Sequence, residues 1–403
     1  MMHRRQFLKV AVAGSLLPSA RVWAASSAGR PKFVLVFLRG AYDAANLLIP
    51  YRNDFYYESR PHIAVPRPES GRDGAIALDA DWALHPALRA SLLPLWQRRQ
   101  LAFVPFTGTH DMTRSHFETQ DHIELGQGPQ PTDFNDGFLN RLIQQLNGRT
   151  PAMAFTSQVP LSLRGPARVP NLALARSSRT LITAQQRRRL EQMWGDTPEA
   201  HAVAEGFTVR SEVNHDMATA RWAAEMRAAS RGAVDPGGFV GVAARVGALM
   251  RDSFEIGFID VGGWDTHVYE ATTNGAQGQL ATKLGALGEG LAALARAAGP
   301  AWKDMTVVVI SEFGRTFREN GNRGTDHGHG SVYWMLGGSV RGGRIAGEQV
   351  PLSPSTLNQN RDYPVLSDYR AVLGGLFARL WNLNAGRIRA VFPDTQARDL
   401  GLV

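Results

Sequence analysis

The stretch "KFVLVFL" at residues 32–38 continues after Lys32 as an uninterrupted apolar run, rich in β-branched and aromatic side chains. Three more runs are mostly apolar: "LAFVPF" at 101–106, "TVVVI" at 306–310, and "FEIGFIDV" at 254–261, which also contains Glu255 and Asp260. Runs of this length are typical of strands buried on both faces, as in a parallel sheet covered by helices. The four runs therefore predict the core of a mostly parallel β-sheet.

Helical patterns separate the predicted strands. Residues 85–100 carry Pro86 at a favoured first helical position, residues 135–148 end on a glycine, and residues 278–299 precede the fourth strand. Alternation of strands and helices predicts a doubly wound α/β domain, which we assign to residues 25–403. Residues from about 150 to 250 are rich in Ala and Arg, and we interpret them as a helical insertion or cap on that domain.

The composition of the chain is that of an ordinary globular protein. Of its 403 residues, 44% are apolar and 20% are charged. The formal net charge is +8, of which the first 24 residues contribute four basic and no acidic side chains. No basic stripe interleaved with aromatic residues occurs, so we predict no nucleic-acid partner. The absence of cysteine excludes disulfides, thiolate zinc sites and cysteine nucleophiles.

The N-terminus has the pattern of an export signal. Arg4 and Arg5 precede a short apolar run, and small residues follow at the end of residues 1–24. This pattern is typical of a twin-arginine signal peptide, with cleavage after Ala24 or Ala25. A membrane anchor is the alternative, but the run is far shorter than the roughly 20 residues that span a bilayer. We therefore predict a periplasmic or otherwise exported protein, with the twin-arginine export machinery as a partner and no membrane span after cleavage.

Polar clusters follow the predicted strands. In chain order they are "RGAYDAAN", "TGTHDMTRSHFETQD", "GGWDTH" and "SEFGRT", the last followed by "GTDHGHG" at 324–330. The carboxyl ends of strands in an open parallel sheet lie along one edge, where ligands bind. We therefore expect these segments, distant in sequence, to meet in space.

The clusters contain the residue types that bind transition metals. We predict these metal ligands: Asp43, Asp265, His267, Glu312, Asp326, His327 and His329. Mixed nitrogen and oxygen donors favour zinc, or manganese or iron, over calcium. Seven donors exceed one tetrahedral ion, so the centre holds one or two ions. Taken singly, these side chains have simpler explanations: Asp43 could cap a helix, and Glu312 could pair with Arg315.

The second cluster offers catalytic candidates. Ser115 is a candidate nucleophile, and with Glu118 it also forms the pattern of a helix capping box. A hydroxyl at a helix N-terminus lies in a positive field that favours bound anions. Thr109 and Thr113 are rival nucleophiles, and His110 and His116 could act as acid, base or further ligands. Arg114, Arg39 and Arg315 could clamp an oxyanion or form ordinary salt bridges.

Five motifs give the chain a recognisable resemblance. They are "FLRGAYDAANLLIPY", "LHPALRASLLPLW", "RSHFETQD", "GFIDVGGWDTH" and "VVVISEFGRTFRENGNRGTDHGHG". Over nearly the whole mature chain, the sequence resembles the exported family of unknown function numbered 1501, which is grouped with the alkaline phosphatase and sulfatase superfamily. The resemblance implies a three-layer α/β/α sandwich with a metal centre at the C-terminal edge of its sheet.

The superfamily pattern matches this sequence in part. Asp43 matches an aspartate after the first strand, Ser115 a nucleophile at a helix start, and Asp265 with His267 an Asp and His from one loop. Glu312 and Phe313 stand where the superfamily commonly has Asp-His-Gly, which appears later as residues 326–328. The sulfatase signature Cys/Ser-x-Pro-x-Arg is absent.

The predicted function is that of an exported metal-dependent hydrolase of phosphate or sulfate esters. Its substrate would be a small anionic ester or an envelope glycan. The alternative is a non-catalytic exported binding protein that keeps the fold and one metal. An oxidoreductase is disfavoured because no Gly-x-Gly-x-x-Gly motif follows the first strand.

Overall fold

The structure, a computed structural model, describes residues 29–128, 133–174 and 226–403. The predicted signal peptide and the middle of the predicted insertion, residues 175–225, lie outside the described residues. Within the described residues, no helix is both long and apolar enough to cross a membrane.

Eleven strands are present in the described part of the chain. They are β1 (Lys32–Leu38), β2 (Leu48–Ile49), β3 (Ile76–Ala77), β4 (Ala83–Leu84), β5 (Leu101–Gly108), β6 (Ala152–Ala154), β7 (Ile256–Val261), β8 (Met305–Ser311), β9 (Ser331–Leu336), β10 (Arg344–Ile345) and β11 (Ser367–Asp368). Eight of them form one sheet in the order β10-β5-β9-β8-β1-β7-β6, with β11 also paired to β5. A small antiparallel sheet in the order β2-β4-β3 lies apart from it.

The helices of the described residues cover the large sheet. They are α1 (Asp54–Ser59), α2 (Leu93–Gln97), α3 (His116–Leu125), α4 (Phe138–Gln145), α5 (Pro236–Asp252), α6 (Gln279–Ala298), α7 (Tyr369–Trp381) and α8 (Ala385–Val391). Short 3-10 turns occupy Gly71–Asp73, Pro86–Leu88, Leu161–Leu163 and Gly299–Asp304.

The central strand β1 shows that the molecule has three layers. Val34, Val36 and Leu38 join a core cluster with the buried faces of α5 and α6. The alternate residues Phe33, Leu35 and Phe37 join a second cluster with α4, α7 and α8. Because successive side chains of a strand point to opposite faces, a strand that is apolar throughout requires cover on both sides. The predicted α/β class and three-layer sandwich are confirmed.

The sheet is mostly parallel, as predicted, but one interior strand is reversed. β1 pairs in parallel with β7 and β8, and β6 pairs in parallel with β7. β9 is antiparallel to both β5 and β8. The reversal places the start of β9 at the edge where β1, β5, β7 and β8 end. Residues 324–330, which precede β9, therefore reach the same edge as the loops that follow the parallel strands.

Both ends of the predicted insertion belong to the core of the molecule. β6 extends the large sheet beside β7. α5 packs along α6. The structure thus places residues 152–154 and 236–252 in the main layers.

Candidate metal centre

Three imidazoles and one carboxylate converge at the C-terminal edge of the sheet. His327 Nε2 lies 3.0 Å from His116 Nε2 and 3.1 Å from His267 Nε2. It also lies 3.2 Å from Asp265 Oδ1. Ligand atoms of His116, Asp265 and His327 all lie within 4.8 Å of one another. A tetrahedral ion with ligands at 2.0–2.1 Å would hold two nitrogens about 3.3 Å apart, close to the spacing found here.

The outward ring nitrogens determine the tautomer of each histidine. His327 Nδ1 lies 2.9 Å from the carbonyl oxygen of Arg114, which can only accept a hydrogen bond. His116 Nδ1 lies 2.8 Å from Glu312 Oε1, and His267 Nδ1 lies 3.2 Å from Asp326 Oδ1.

These outward contacts leave the inward nitrogens as donors of electron pairs. With hydrogen on each Nδ1, each ring turns its Nε2 inward, and the neutral form of each ring presents a lone pair there. Lone pairs facing at such distances repel unless a proton or a metal ion lies between them. Histidine ligands of metals commonly donate their second N–H to a carboxylate or carbonyl in this way.

Asp265 completes the donor set, and one of its carboxylate oxygens makes no hydrogen bond. Its Oδ1 accepts from the buried guanidinium of Arg315 and lies 2.9 Å from His267 Nε2. Its Oδ2 is buried and has no hydrogen-bond partner, and His116 Nε2 lies 3.5 Å away. A buried carboxylate oxygen without a partner is costly unless a cation binds it. The donor set therefore fits a transition metal such as zinc, manganese or iron.

The pKa values reflect this concentration of charge. Burial raises the pKa of Asp265, but the Arg315 guanidinium and the imidazoles outweigh burial and hold the pKa far below its usual range. Burial lowers the pKa of His116, but the nearby carboxylates of Asp265 and Glu312 reverse the shift and raise the pKa to about 9. Burial lowers the pKa of His327. In the metal-free protein, therefore, the proton on His116 stands where a metal ion would provide the positive charge.

Glycines let the backbones that carry these ligands lie against each other. A Cβ at Gly328 would overlap the carbonyl oxygen of Arg315, and one at Gly324 would overlap that of His267. Gly328 N–H donates to the Gly314 carbonyl at 2.8 Å, and Arg315 pairs with His327 in an antiparallel bridge. The glycines of "GTDHGHG" therefore accommodate neighbouring backbone, and this packing positions His327.

The structure separates the seven predicted ligands into three groups. Asp265, His267 and His327 lie in the centre, as described above. Glu312 and Asp326 contact the outward nitrogens of two of the histidines. Asp43 and His329 lie outside this set.

Asp43 and His329 have other surroundings. The Asp43 carboxylate forms a bidentate ion pair with the buried guanidinium of Arg60. Its Oδ1 also accepts from the Ala45 N–H at 3.2 Å, the contact of a local turn. Burial lowers the pKa of His329 to about 4, with Arg114 as the next cause, so His329 is a neutral, buried imidazole.

The predicted catalytic residues occupy the start of α3. Ser115 caps this helix by accepting from Glu118 N–H at 3.5 Å, which is one half of the predicted capping box, whereas its own N–H donates to Thr113 Oγ1 at 3.4 Å. Arg114 contacts Asp362 and Gln359 with its side chain, and its backbone has a φ of 54°. The structure thus gives Arg114 a second function, because its carbonyl fixes the tautomer of His327.

The remaining candidates lie in ordinary pairs or at the surface. Arg39 donates to Asp260 at 2.7 Å and to Glu124 at 2.8 Å. Thr113 donates to Asp111 at 3.1 Å. His110 has a side chain that is 63% exposed.

The sequence analysis leaves the role of His116 open and does not predict that of Arg60. His116 is a predicted acid, base or further ligand, and the structure places its Nε2 among the inward donors. Arg60 was not singled out at all, because an arginine after a short helix has no motif that marks it. Only the tertiary structure shows that it binds Asp43.

Comparison with known proteins gives a family and several solved structures. The family described as "Protein of unknown function (DUF1501)" matches residues 30–392. No curated protein matches the sequence. Two of the similar solved structures have the same TM-score, 0.39. One is a protein in the alkaline phosphatase superfamily from Vibrio parahaemolyticus, 8% identical, with 91% of this chain and 78% of that chain covered. The other is Ps i-CgsB in complex with k-i-k-neocarrahexaose, 9% identical, with 89% and 74% covered.

Proposed function

This chain belongs to the DUF1501 family of proteins of unknown function, and we propose that it is an exported metal-dependent hydrolase of phosphate or sulfate esters. One observation carries the proposal. Three imidazoles fixed by outward hydrogen bonds turn their Nε2 atoms toward one another and toward the buried carboxylate of Asp265, whose Oδ2 makes no hydrogen bond. Such a donor set favours zinc, with manganese and iron as alternatives.

The residues that would hold the ion are His116, His327 and Asp265, with His267 beside them. A bound ion of this kind polarises an ester oxygen and lowers the pKa of a coordinated water. Glu312, Asp326 and the Arg114 carbonyl keep the rings oriented. Arg315 keeps Asp265 ionised, so this carboxylate carries its negative charge near neutral pH.

The start of α3 is the part of the chain that we propose meets the ester. Ser115 directly precedes His116 and lies at the helix N-terminus, where the helix dipole favours an anionic group. In our proposal the Ser115 hydroxyl is the nucleophile, with water as the alternative. The Ser115→Ala variant distinguishes them, because a nucleophile is essential and a capping serine contributes only about 1 kcal/mol of stability.

We further propose that the twin-arginine segment at residues 1–24 exports the folded protein. Cell fractionation tests this: cells that express the full chain should contain the mature protein in the periplasm, and Arg4→Lys with Arg5→Lys should keep the protein in the cytoplasm. Export unaffected by the double change would contradict the proposal.

The decisive experiment combines metal analysis with ester hydrolysis. Protein purified from residue 25 onward without added metal should contain a transition metal and hydrolyse aryl phosphates or aryl sulfates. Chelation should abolish turnover, and addition of metal should restore it. His327→Ala should lose both metal and turnover, since it removes the nitrogen that contacts both other rings.

His62→Ala is the matched control, because the His62 side chain is 53% exposed and pairs with Glu319 outside the centre. This variant should keep metal and turnover. Turnover that survives both chelation and Asp265→Ala would contradict the proposal. A bound metal without turnover of either ester class would favour the non-catalytic binding protein instead.

A further inference from the structure

We propose that this centre binds one metal ion per chain, because arginine side chains already occupy the carboxylates that a second ion would need. The inference rests on the proposed metal-dependent function and concerns the number of ions. The sequence offers seven candidate ligands, which are enough for two ions. The structure places only three of the seven in the centre.

Asp43, the expected ligand after β1, is fully engaged by Arg60. The two terminal nitrogens of Arg60 donate to the two carboxylate oxygens, and neither side chain has more than 1% of its surface exposed. Bidentate arginine–carboxylate pairs are among the strongest charged hydrogen bonds in proteins. An ion at Asp43 would have to replace this guanidinium.

The other contacts of Arg60 make such a replacement unfavourable. Its Nε donates to the Phe317 carbonyl at 2.6 Å, and its terminal nitrogens also donate to Asn46 Oδ1 at 3.0 Å and to the Thr316 carbonyl at 3.0 Å. With the two bonds to Asp43, all five N–H groups are used. The guanidinium also lies 5.7 Å from the ring centres of Tyr56 and Phe317. A displaced Arg60 would lose every one of these contacts inside the protein.

Asp265 is also bound by a buried arginine, but through only one of its two carboxylate oxygens. Arg315, whose side chain has no exposed surface, donates to Asp265 Oδ1 and to the Thr325 carbonyl, and its Nε donates to Thr325 Oγ1 at 3.2 Å. Asp265 Oδ2 has no partner. One oxygen of this carboxylate is therefore held by an internal cation, and the other remains for a single ion.

The buried acid Glu270 also accepts its hydrogen bonds from groups of the protein. Glu270 Oε2 accepts from Thr266 Oγ1 at 2.8 Å and from Thr325 Oγ1 at 3.1 Å. Asn46 Nδ2 lies 3.4 Å from Glu270 Oε1. Arg60 thus compensates the charge of Asp43, Arg315 compensates that of Asp265, and Glu270 is bound by hydroxyl and amide groups, so these residues do not fit a second metal.

Metal stoichiometry tests the inference directly. The metal-free mature chain is saturated with Zn²⁺ and separately with Mn²⁺, freed of excess ion by gel filtration, and assayed for metal and protein. We expect one ion per chain in both cases. Two tightly held ions per chain would overturn this inference and leave the proposed hydrolase standing. A chain that binds no metal ion would contradict both this inference and the proposed hydrolase.

A pair of variants locates the single ion without an activity assay. Asp265→Asn should weaken Zn²⁺ binding by about tenfold or more, measured by competition with a chelator. Asp43→Asn should keep the ratio at one with an affinity close to that of the wild type. Loss of the ion in Asp43→Asn, with native circular dichroism retained, would overturn the inference. If Asp43→Asn does not fold, the number of ions bound per wild-type chain is the test of the inference.

Discussion

Glu312 illustrates at the scale of a single residue how the centre is held together. Its Oε1 accepts from Gly40 N–H at 2.7 Å and Gln120 Nε2 at 3.0 Å, in addition to His116 Nδ1. Ser311 Oγ donates to its Oε2 at 2.9 Å. Burial raises the pKa of Glu312, but the hydrogen bond and charge of His116 outweigh burial and lower it. The carboxylate is therefore ionised and surrounded by donors, which fixes the ring of His116.

Glu312→Gln tests this positioning role. The glutamine amide has only one acceptor oxygen. Its NH₂ group would face a donor group from which the carboxylate now accepts a hydrogen bond. We expect Zn²⁺ affinity to fall about 10–100-fold, the usual effect of removing such a partner of a metal-bound histidine. Chelator competition at pH 7 measures it.

Glu319→Gln is the corresponding control. Glu319 pairs with the ring of His62, whose side chain is about half exposed. The Glu319 carboxylate accepts from the His62 and Ile63 backbones and contacts the His62 ring, all outside the centre, so Zn²⁺ affinity should stay at the wild-type value. Equal losses of affinity in the two variants would mean that Glu312 has no special role.

At the scale of elements, two loops decide the geometry of the centre. The loop after β8 and the loop before β9 form a narrow hairpin in which Thr316 N–H donates to the Asp326 carbonyl at 2.9 Å and Gly314 N–H donates to the His329 carbonyl at 2.8 Å. This spacing leaves no room for side chains at Gly314 and Gly328. The hairpin carries Glu312, Arg315 and His327 as one unit.

Gly328→Ala should open this hairpin. The new methyl group would overlap the Arg315 carbonyl, so the backbones must separate. We expect a loss of about 1–3 kcal/mol in the free energy of unfolding, as for other overpacked sites, with weaker metal binding. Urea denaturation and chelator competition measure the two effects.

Gly321→Ala in the same loop is the control, because a Cβ there meets no atom within 4 Å. Its stability and metal affinity should match those of the wild type. Identical behaviour of the two alanine variants would show that close backbone packing does not position His327.

At the scale of the whole molecule, buried histidines make stability depend on pH. His85 has no exposed surface, its Nε2 lies 2.9 Å from the Gly275 carbonyl, and its Nδ1 accepts from Ala87 N–H at 3.1 Å. Burial lowers its pKa from 6.5 to about 4. The unfolded chain therefore binds this proton more readily than the folded chain does. The contribution of His85 to stability is complete above pH 6.5 and is lost as the pH falls toward 4.

His85→Gln should flatten that part of the stability profile. In the wild type, His85 contributes up to roughly 3 kcal/mol to the difference in unfolding free energy between pH 6.5 and 4. Urea denaturation of both proteins at several pH values in this range isolates that contribution. His62→Gln, at a half-exposed site, should keep the wild-type slope. A wild-type slope in His85→Gln would show that His85 is not the group responsible.

The sequence by itself determined the layers of this protein and the edge at which its polar loops meet. Apolar runs such as residues 32–38 can be buried only between two layers of helices, and the polar residues that follow parallel strands must share one edge. Asp265, His267 and His327 were found from that rule. The family is likewise readable from motifs across the chain.

Only the tertiary structure decided which of these side chains face one another. Whether Asp43 meets a metal or Arg60 depends on contacts between segments that no spacing rule connects. β9 is not among the four predicted strands, and its reversed direction cannot be read from the sequence, because an antiparallel interior strand is as apolar as its parallel neighbours. Local sequence patterns indicate which residues are buried and where turns lie. The packing of the whole fold determines which group pairs with a buried charge.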